Sequence, residues 1–367
     1  MNRIIHFVYS VPGINEGFYL KVISKLNKYL SLIGLGIPLI ANNKRDSIIT
    51  NKWPLRSPYE VTKNVYNKLI TIDKTRLYHL HEKNRIKFTN DDIFLGHPHF
   101  PQTNGVKSVT EYAIQSKVRP KKLAIITPLH CNTSINTRHI NKEYLNHIDN
   151  FFPNIDILFG IMGEYWWDQW DNSPYSHWKS KMVRLDMAIN SAVYEKVKFK
   201  FSEKNQRKFL FIGINDPTKG VSYLSELAKS FSYGTFGWVG SGSEIKNVYK
   251  ESDFRNLDSN FMRKIAMKYD FIISPSFGDA NPTTILEAMC WGFPVVCTPQ
   301  SGYYEDSYRF IIKLDDINQS IKILKNLQNM SDENLNKISV KARAVVQSEY
   351  TWKKFTSTII DHLNISE

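Results

Sequence analysis

The regular alternation of short apolar runs with amphipathic stretches constrains the fold of this chain more than any other feature of its sequence. In the second half, apolar runs at 208–213, 236–240, 270–276 and 293–298 are separated by stretches of helical periodicity at 221–231, 260–269 and 284–291. Strands that alternate with helices form a parallel sheet with helices on both faces. The pattern therefore predicts an α/β fold.

The first half shows the same alternation less cleanly. Predicted strands lie at 4–10, 92–96, 122–128 and 155–160, and predicted helices at 17–33 and 59–72. Near the end of the chain we predict one more strand at 310–313 and helices at 316–329, 332–348 and 351–364. At about 100–200 residues per domain, a length of 367 residues predicts two α/β units. The polar stretch 201–207 is the predicted joint between them.

Composition excludes several classes of protein. With 42% hydrophobic and 23% charged residues, the chain is neither disordered nor collagen-like. Cys131, Cys290 and Cys297 are scattered and lack C-x-x-C spacing, which argues against a disulfide framework or a cysteine zinc site. Residues 1–9 resemble a first strand more than a signal peptide, and the longest apolar stretch, 30–41, is shorter than the roughly 20 residues that span a bilayer. We expect a cytoplasmic protein, with peripheral membrane attachment as an open alternative.

The positive charge is concentrated in the first half of the chain. Residues 1–200 hold 28 Lys and Arg against 16 Asp and Glu, whereas residues 201–367 hold 20 against 19. This asymmetry favours an anionic partner for the first half: an acidic substrate, a membrane surface or nucleic acid. The alternative is a lysine-rich surface that is merely solvated.

The segment 270–296 carries the most specific chemical pattern. An apolar strand ends at Pro275 and Ser276, a loop with Gly278, Asp279 and Asn281 follows, and a helix is predicted from Thr284. The carboxyl ends of parallel strands and the amino ends of helices are where α/β sheets bind phosphates. One turn into this helix, Glu287 could accept hydrogen bonds from ribose or sugar hydroxyls. Alternatively, Thr284 and Glu287 form a capping box and Asp279 is an ordinary loop residue.

This segment resembles the donor-site signature of retaining GT-B glycosyltransferases, glycosyltransferase family 4 in particular. That signature has two acidic residues with seven residues between them, the second opening an E-A-M-A-x-G-x-P-V-V pattern. Asp279 and Glu287 have this spacing, and 287–296 reads E-A-M-C-W-G-F-P-V-V. Further family-like segments occur in the same order: 209–213 with Lys219-Gly220-Val221, Gly240-Ser241-Gly242, Ser301-Gly302 to Glu305, and Tyr350-Thr351-Trp352.

The resemblance implies a GT-B architecture, two Rossmann-like α/β/α domains that face a central cleft. Residues 1–203 would bind the acceptor, 204–348 would bind the nucleotide sugar, and a helix in 349–367 would pack back toward the first domain. The implied reaction moves a sugar from a nucleoside-diphosphate sugar to an acceptor hydroxyl with retention of configuration, in glycan or glycolipid biosynthesis. It implies no metal and no other cofactor. A glycan, a lipid-linked or a phosphorylated acceptor, at an anionic membrane surface, would suit the basic first half.

The resemblance also implies roles for individual residues. Glu287 would hold the ribose, Asp279 the hydroxyls of the donor sugar and Lys219 the diphosphate. His130 follows a strand similar to the family strand whose histidine faces the transferred sugar, and is therefore a fourth catalytic candidate. The other donor-side candidates are Gly213, Gly240, Gly278, Asn281, Thr283 and Thr284, and the other acceptor-side candidates are His97, His99 and Trp166.

Two departures from the family pattern keep alternatives open. Asp279 replaces the usual glutamate, which leaves the donor sugar open, and Ile214 stands where the family often has a phosphate-binding arginine. One alternative is a GT-B glucosyltransferase that acts on nucleic acid, and another is a basic binding protein with a degenerate donor site. His97, His99 and His130 could also form a metal site, but no Asp-x-Asp motif supports one. The aromatic cluster at 165–178 favours packing at the domain junction over stacking on sugars or contact with a membrane.

Overall fold

The computed structural model describes residues 3–9, 57–79, 86–97, 109–134, 142–253 and 257–365. They form two separate six-stranded sheets in which all neighbouring strands are parallel. Parallel sheets of this kind need helices on both faces, because both faces are apolar. The predicted α/β class and the two α/β units are confirmed.

The first sheet has the strand order β2-β1-β3-β4-β5-β6. Its strands are β1 (Ile5–Tyr9), β2 (Thr75–His79), β3 (Ile93–His97), β4 (Lys122–Pro128), β5 (Ile157–Ile161) and β6 (Met182–Leu185). The helices in this part are α1 (Ser57–Leu69), α2 (Val109–Ile114), α3 (Lys142–Phe151) and α4 (Glu164–Gln169). The central strand β4 is buried over its five inner residues, which explains why its apolar run was readable from the sequence.

The second sheet has the strand order β12-β11-β10-β7-β8-β9. Its strands are β7 (Phe209–Ile212), β8 (Phe236–Val239), β9 (Tyr249–Ser252), β10 (Phe271–Ser274), β11 (Val295–Cys297) and β12 (Arg309–Ile311). Its helices are α5 (Val221–Ala228), α6 (Ser259–Lys268), α7 (Thr283–Trp291), α8 (Ile317–Asn329), α9 (Asp332–Glu349) and α10 (Trp352–Leu363).

Three strands, β2, β6 and β9, escape the sequence pattern, and each is an edge strand. An edge strand needs no continuous apolar run, and β9 has no buried residue at all. All the predicted strands, and the predicted helices within the described residues, are present, with bounds that differ from the prediction by a few residues. The helix predicted at 17–33 lies outside the described residues.

Most of the aromatic cluster packs inside the first unit. Trp170 and Trp178 are fully buried, and their indole nitrogens donate to the carbonyl of Tyr175 at 2.8 Å and to Asp149 at 2.7 Å. Only the start of the cluster, at Tyr165 and Trp166, reaches the second unit. The interpretation as packing at the domain junction was therefore right for these two residues and wrong for the remainder of the cluster.

The segment that joins the two sheets is firmly attached to the second sheet. The buried Lys198 ammonium contacts Asp270 at 2.8 Å and donates to the carbonyls of Ala266 and Tyr269. Asp270 in turn accepts from the backbone N–H groups of Ser202 and Lys208. Since every polar group of this buried ion pair has a partner, the pair can fix where the second sheet begins.

The last helix, α10, packs on α1 of the first unit. Lys122, at the first position of β4, donates to the carbonyl of His362 at 3.0 Å, and the N–H of Ile189 donates to the carbonyl of Tyr350 at 3.1 Å. The end of the chain thus contacts the first sheet, while the domain boundaries proposed from the sequence stay predictions. Among the helices that the structure describes, none combines the length and apolarity needed to cross a bilayer.

Candidate functional site

The loops that follow β4 and β5 of the first sheet meet the loops that follow β10 and β11 of the second. The N–H of Gly163 donates to the carbonyl of Ala280 at 2.9 Å, and the amide of Asn132 donates to the carbonyl of Phe277 at 3.0 Å. The indole of Trp166 donates to the carbonyl of Asp279 at 2.7 Å. Loops at the carboxyl ends of both sheets therefore form one site, as expected for ligand binding in α/β folds.

His130 follows β4 of the first sheet and lies beside the predicted donor loop. Its side chain is fully buried beside Trp166, with ring centroids 5.2 Å apart, and a Cβ atom built on Gly278 would lie 3.3 Å from the imidazole. Neither ring nitrogen has a hydrogen-bond partner among the residues that the structure describes. Burial lowers the pKa of His130 to about 4, against the smaller opposing effect of Asp279. At neutral pH the neutral ring therefore has one donor and one acceptor to offer a ligand.

Lys219 and Asp279 form an ion pair on the second-sheet side of the site. The Lys219 ammonium contacts the Asp279 carboxylate directly, and both side chains are partly buried. A short 3₁₀ turn, Pro217–Lys219, presents the lysine, and Asp216 caps that turn by accepting from the N–H and hydroxyl of Thr218. The structure thus brings two of the predicted catalytic residues into contact with each other and close to His130.

Helix α7 begins at Thr283, with Pro282 at its N-cap and no side-chain cap. The capping-box alternative for Thr284 and Glu287 is therefore wrong. Instead, the side chains of Tyr194 and Thr283 lie beside the Glu287 carboxylate and lower its pKa, whereas burial, the larger effect, raises that pKa to about 7. The partly exposed Thr283 and Thr284 lie in the first turn, where backbone N–H groups lack helical partners and attract anions.

Gly213 and Gly240 lie in the turns that follow β7 and β8, and these turns touch. A Cβ atom on Gly240 would come within 1.7 Å of the Gly213 carbonyl oxygen, which also accepts from the Trp238 indole at 2.8 Å. Glycine is needed at 240 because the two backbones approach so closely. These turns lie at the same edge of the sheet as Lys219.

Other predicted residues have different surroundings. The Asn281 side-chain oxygen accepts from the backbone N–H of Met187 at 2.8 Å, so Asn281 holds the segment after β6 in place. Its amide nitrogen is buried and has no hydrogen-bond partner among the described residues. His97 is the last residue of β3, and His99 lies outside the described residues. Within the described ranges, no group of three or more His, Cys, Asp and Glu side chains is placed to hold a metal.

The sequence reasoning missed three residues that shape the site. Asn132 and Gly163 join the two sheets through the contacts described above, and Tyr194 reaches Glu287 from the joining segment. Gly163 and Asn132 follow the predicted strands 155–160 and 122–128 by three and four positions, so their place at the carboxyl edge was a usable signal. Tyr194 gave none, because its role depends on how the joining segment crosses α7.

No family model and no curated protein matches the chain, whereas several solved structures share its fold. A mutant of S. aureus TarM in complex with Fondaparinux, alpha-GlcNAc-glycerol and UDP is 15% identical, with a TM-score of 0.53 over 82% of this chain and 58% of that one. An apo structure of OtsA is 11% identical, with a TM-score of 0.56 over the whole of both chains. An alpha-glucosyltransferase in complex with UDP-glucose and DNA containing an abasic site is 12% identical, with a TM-score of 0.51 over 99% of each chain.

The chain thus spans less than two thirds of the TarM chain but the full length of OtsA. At these identities the similarity concerns the fold alone. TarM and OtsA are GT-B glycosyltransferases, and their fold agrees with the two facing parallel sheets. The resemblance read from residues 205–355 is therefore confirmed at the level of architecture: the chain has the GT-B fold.

Proposed function

We propose that the chain is a retaining glycosyltransferase that moves a sugar from a nucleoside-diphosphate sugar to an acceptor hydroxyl. The observation that carries the proposal is the convergence, at the carboxyl edges of the two sheets, of the buried His130, which has no hydrogen-bond partner in the described part of the chain, with the Lys219–Asp279 pair. An unpartnered buried imidazole costs folding free energy, and a ligand that hydrogen-bonds it would remove that cost. Glu287, on the adjacent helix, adds a carboxylate suited to hydroxyl groups.

The diphosphate would bind between Lys219 and the first turn of α7. An ammonium group has three donors, so Lys219 can contact Asp279 and a phosphate oxygen together. As the bond to the sugar breaks, negative charge grows on the leaving phosphate, and a preorganised cation and helix N-terminus stabilise it. This would lower the barrier without a metal ion, as the sequence resemblance implies.

Three side chains would then position the donor sugar and nucleotide. Glu287 would accept from the ribose hydroxyls, and Asp279 from hydroxyls of the sugar. The neutral His130 would donate to or accept from the sugar as a fixed hydrogen-bonding group, because its pKa of about 4 leaves it uncharged at neutral pH. The acceptor hydroxyl would lose its proton to the departing phosphate, so the reaction needs no separate basic side chain.

The solved structures support a nucleotide-sugar donor. TarM is described in complex with UDP, and a further GT-B structure, described as trehalose-6-phosphate from E. coli, is bound with UDP-2-fluoro glucose. Retention and the glycan or glycolipid acceptor are proposed from the sequence resemblance. The basic first half, 28 Lys and Arg against 16 Asp and Glu, supports an anionic acceptor or an anionic membrane near it.

A second candidate is sugar transfer to nucleic acid. It is favoured by the same basic first half and by the alpha-glucosyltransferase of like fold, which is described in complex with UDP-glucose and DNA. Binding to duplex DNA that weakens steeply with salt, together with sugar incorporation into that DNA, would select this candidate. A basic protein with a degenerate donor site would bind DNA in this salt-dependent way but would not incorporate sugar into it.

The test compares the wild-type protein with Glu287→Ala and with Glu226→Ala; Glu226 is an exposed glutamate of α5 that pairs with Lys229. Each protein is incubated with a panel of UDP and GDP sugars, with and without EDTA, and release of nucleotide diphosphate is measured. We expect wild type and Glu226→Ala to be active in EDTA and Glu287→Ala to be inactive although folded. Wild-type turnover by a folded Glu287→Ala protein, or no release from any donor, would contradict the proposal.

A further inference from the structure

A row of aromatic rings leads from the protein surface to the buried His130. Tyr304 of the second unit lies edge-to-face on Tyr165 of α4, with ring centroids 5.6 Å apart. Tyr165 lies in the same way on Trp166 at 5.1 Å, and Trp166 lies beside His130 at 5.2 Å. Tyr304 is 38% exposed and Tyr165 is partly exposed, whereas the other two residues are buried. These four residues, the aromatic row, thus connect solvent with a residue of the proposed reaction.

Both units hold the aromatic row in place. The backbone N–H of Tyr165 donates to the carbonyl of Gly302 at 3.3 Å. The Tyr304 hydroxyl donates to the carboxylate of Asp168, on α4, at 3.0 Å. Since each of these hydrogen bonds joins the first unit to the second, the row is complete only where the two units meet.

Polar groups beside the two outer rings have hydrogen-bonding capacity to spare. The Gln300 amide nitrogen donates to the Tyr165 hydroxyl at 3.5 Å, and that hydroxyl keeps its own proton to donate. The Gln300 amide oxygen is buried and has no partner among the described residues, which costs free energy until a donor reaches it. An ionised Asp168 carboxylate can accept about three hydrogen bonds besides the one from Tyr304. One donor and two acceptors therefore surround the rings, an arrangement suited to hydroxyl groups.

The charge beside the outer rings is negative. Segments 163–168 and 299–306, which carry three of the four rings, contain no lysine or arginine. They carry four exposed carboxylates: Glu164, Asp168, Glu305 and Asp306. Burial, the hydrogen bond to Asp168 and the charge of Glu164 raise the pKa of Tyr304 to about 12, so its hydroxyl stays protonated and continues to donate. Like charges brought together at a binding site are unfavourable, so these segments disfavour a phosphate group.

We infer that the aromatic row is the acceptor subsite, and that the acceptor group bound there is an uncharged sugar. The apolar C–H face of the sugar ring packs on Tyr304 and Tyr165, as aromatic side chains in ligand sites pack on apolar surface. Its hydroxyls bond to the polar groups around those rings, and His130 lies at the inner end, where the sugar is transferred.

This inference rests on the proposed function, because it places the acceptor beside the donor site. It also narrows that function. A phosphorylated acceptor or a nucleic acid would have to keep its charged groups away from the aromatic row, so the sugar that receives the transferred unit is neutral.

The experiment uses three variants of the subsite and one control. Tyr304→Ala removes the outermost ring, and Tyr304→Phe keeps the ring but loses the hydrogen bond to Asp168. Asp168→Asn removes the charge and keeps an oxygen that can accept from Tyr304. The control is Tyr233→Ala, because Tyr233 is 78% exposed and precedes β8, at the opposite edge of the second sheet from the site.

The acceptors are the methyl glycosides of glucose, galactose, mannose and N-acetylglucosamine, together with the 6-phosphates of the same glycosides. The donor is the UDP or GDP sugar from which wild type releases nucleotide diphosphate fastest. Transfer is measured as the release of nucleotide diphosphate above the rate without acceptor, which gives kcat and a KM for each substrate.

We expect wild type to use at least one neutral glycoside with a KM about tenfold or more below that of its 6-phosphate. Tyr304→Ala should raise the KM for that glycoside about tenfold and change kcat and the donor KM less than about threefold, because the ring contacts only the acceptor. Tyr304→Phe should stay close to wild type, since stacking needs the ring and not the hydroxyl. Asp168→Asn should reduce the preference for the neutral glycoside over its 6-phosphate, and the control should retain all wild-type values.

The results separate this inference from the proposed function. If wild type releases nucleotide from no donor, the proposed function fails and the acceptor subsite fails with it. If wild type releases nucleotide but no neutral glycoside increases the rate, or if the 6-phosphates are preferred, only the subsite is overturned. It is also overturned if Tyr304→Ala and Tyr304→Phe impair donor and acceptor kinetics equally, the result expected of a tyrosine that merely joins the two units.

Discussion

At the scale of single residues, Glu287 has the most unusual chemistry of the site. Its pKa rises to about 7 from an ordinary value near 4.5 because it is buried. The folded chain therefore holds this proton more tightly than the unfolded chain, and protonation stabilises the fold. The contribution of Glu287 to stability should fall as pH increases from about 4.5 to about 7 and then level off.

Glu287→Gln removes this pH dependence, because glutamine stays neutral. We expect the melting temperature of the variant relative to wild type to increase between about pH 5 and 7. The corresponding change in the difference between their free energies of unfolding is at most about 1.4 kcal/mol per pH unit. Scanning fluorimetry over this range measures it, with Glu226→Gln on the exposed face of α5 as the control. A difference that stays constant with pH would show that Glu287 is ionised throughout.

The residue scale also shows the limit of sequence reasoning. Lys219, Asp279 and His130 come together as the spacing and resemblance suggested, because each follows a buried strand at the carboxyl edge of its own sheet, where the two sheets meet. Asn281 fits the pattern equally well, yet its oxygen is used by the backbone of Met187. A motif fixes which residues lie near the site, but contacts with the other sheet decide which side chains stay free.

At the scale of elements, the turn between β7 and α5 determines where Lys219 lies. Gly220 ends this turn with a φ of +72°, and a Cβ atom there would lie 1.7 Å from the carbonyl oxygen of Pro275. A left-handed backbone costs a non-glycine residue about 1–2 kcal/mol, and the clash with Pro275 adds to that cost. Glycine is therefore required at this position for two separate reasons.

We expect Gly220→Ala to lower the free energy of unfolding by clearly more than the cost of the left-handed backbone alone, which is about 1–2 kcal/mol. The substitution should also displace Lys219 from Asp279. Gly234→Ala is the matched control, because Gly234 has a φ of +83° and no atom of the described ranges lies within 4 Å of its Cβ position. Urea denaturation gives the free energy of unfolding of both variants. Both carry the strain of the left-handed backbone, so the difference between them measures the clash with Pro275. Equal losses of stability would mean that the chain relaxes around Pro275 without cost.

The sequence predicted central elements better than edge elements. Strands such as β4 and β10 are buried along most of their length and give continuous apolar runs. The edge strands β2, β6 and β9 were missed, since their residues are only partly covered and give no continuous apolar run. The start of α7 was displaced by one residue because Pro282, rather than a capping hydroxyl, begins it.

At the scale of the whole molecule, the distribution of positive charge needs a more local interpretation. Lys117, Arg119, Lys121 and Lys122 form a basic stretch that ends at the first residue of β4, at the opposite end of that strand from His130. Arg119 pairs with Asp156, and Lys122 donates to the carbonyl of His362. This stretch is therefore partly neutralised and lies away from the cleft, so it cannot bring an acceptor to His130 directly.

The relation between the two sheets depends on a contact between two glycines. A Cβ atom on Gly163 would lie 1.9 Å from the carbonyl oxygen of Gly302, although the φ of −75° at Gly163 suits any residue. The small size of Gly163, rather than its backbone freedom, is thus what the contact requires. The same loops carry the hydrogen bonds from Gly163 to Ala280 and from Trp166 to Asp279.

We expect Gly163→Ala to separate the two sheets at this point, because a backbone carbonyl cannot move aside as a side chain can. Displacing His130 from Asp279 by about 1 Å should lower kcat/KM for sugar transfer by up to about a hundredfold, with little loss of thermal stability. Gly160→Ala is the control, since the nearest atoms to its Cβ would be side-chain atoms of the first unit, the closest being the end of Met162 at 2.8 Å. Small-angle scattering measures the dimensions of both variants, and a turnover assay measures their kcat/KM. An active Gly163→Ala protein of unchanged dimensions would mean that the contact between the sheets is not needed for the reaction.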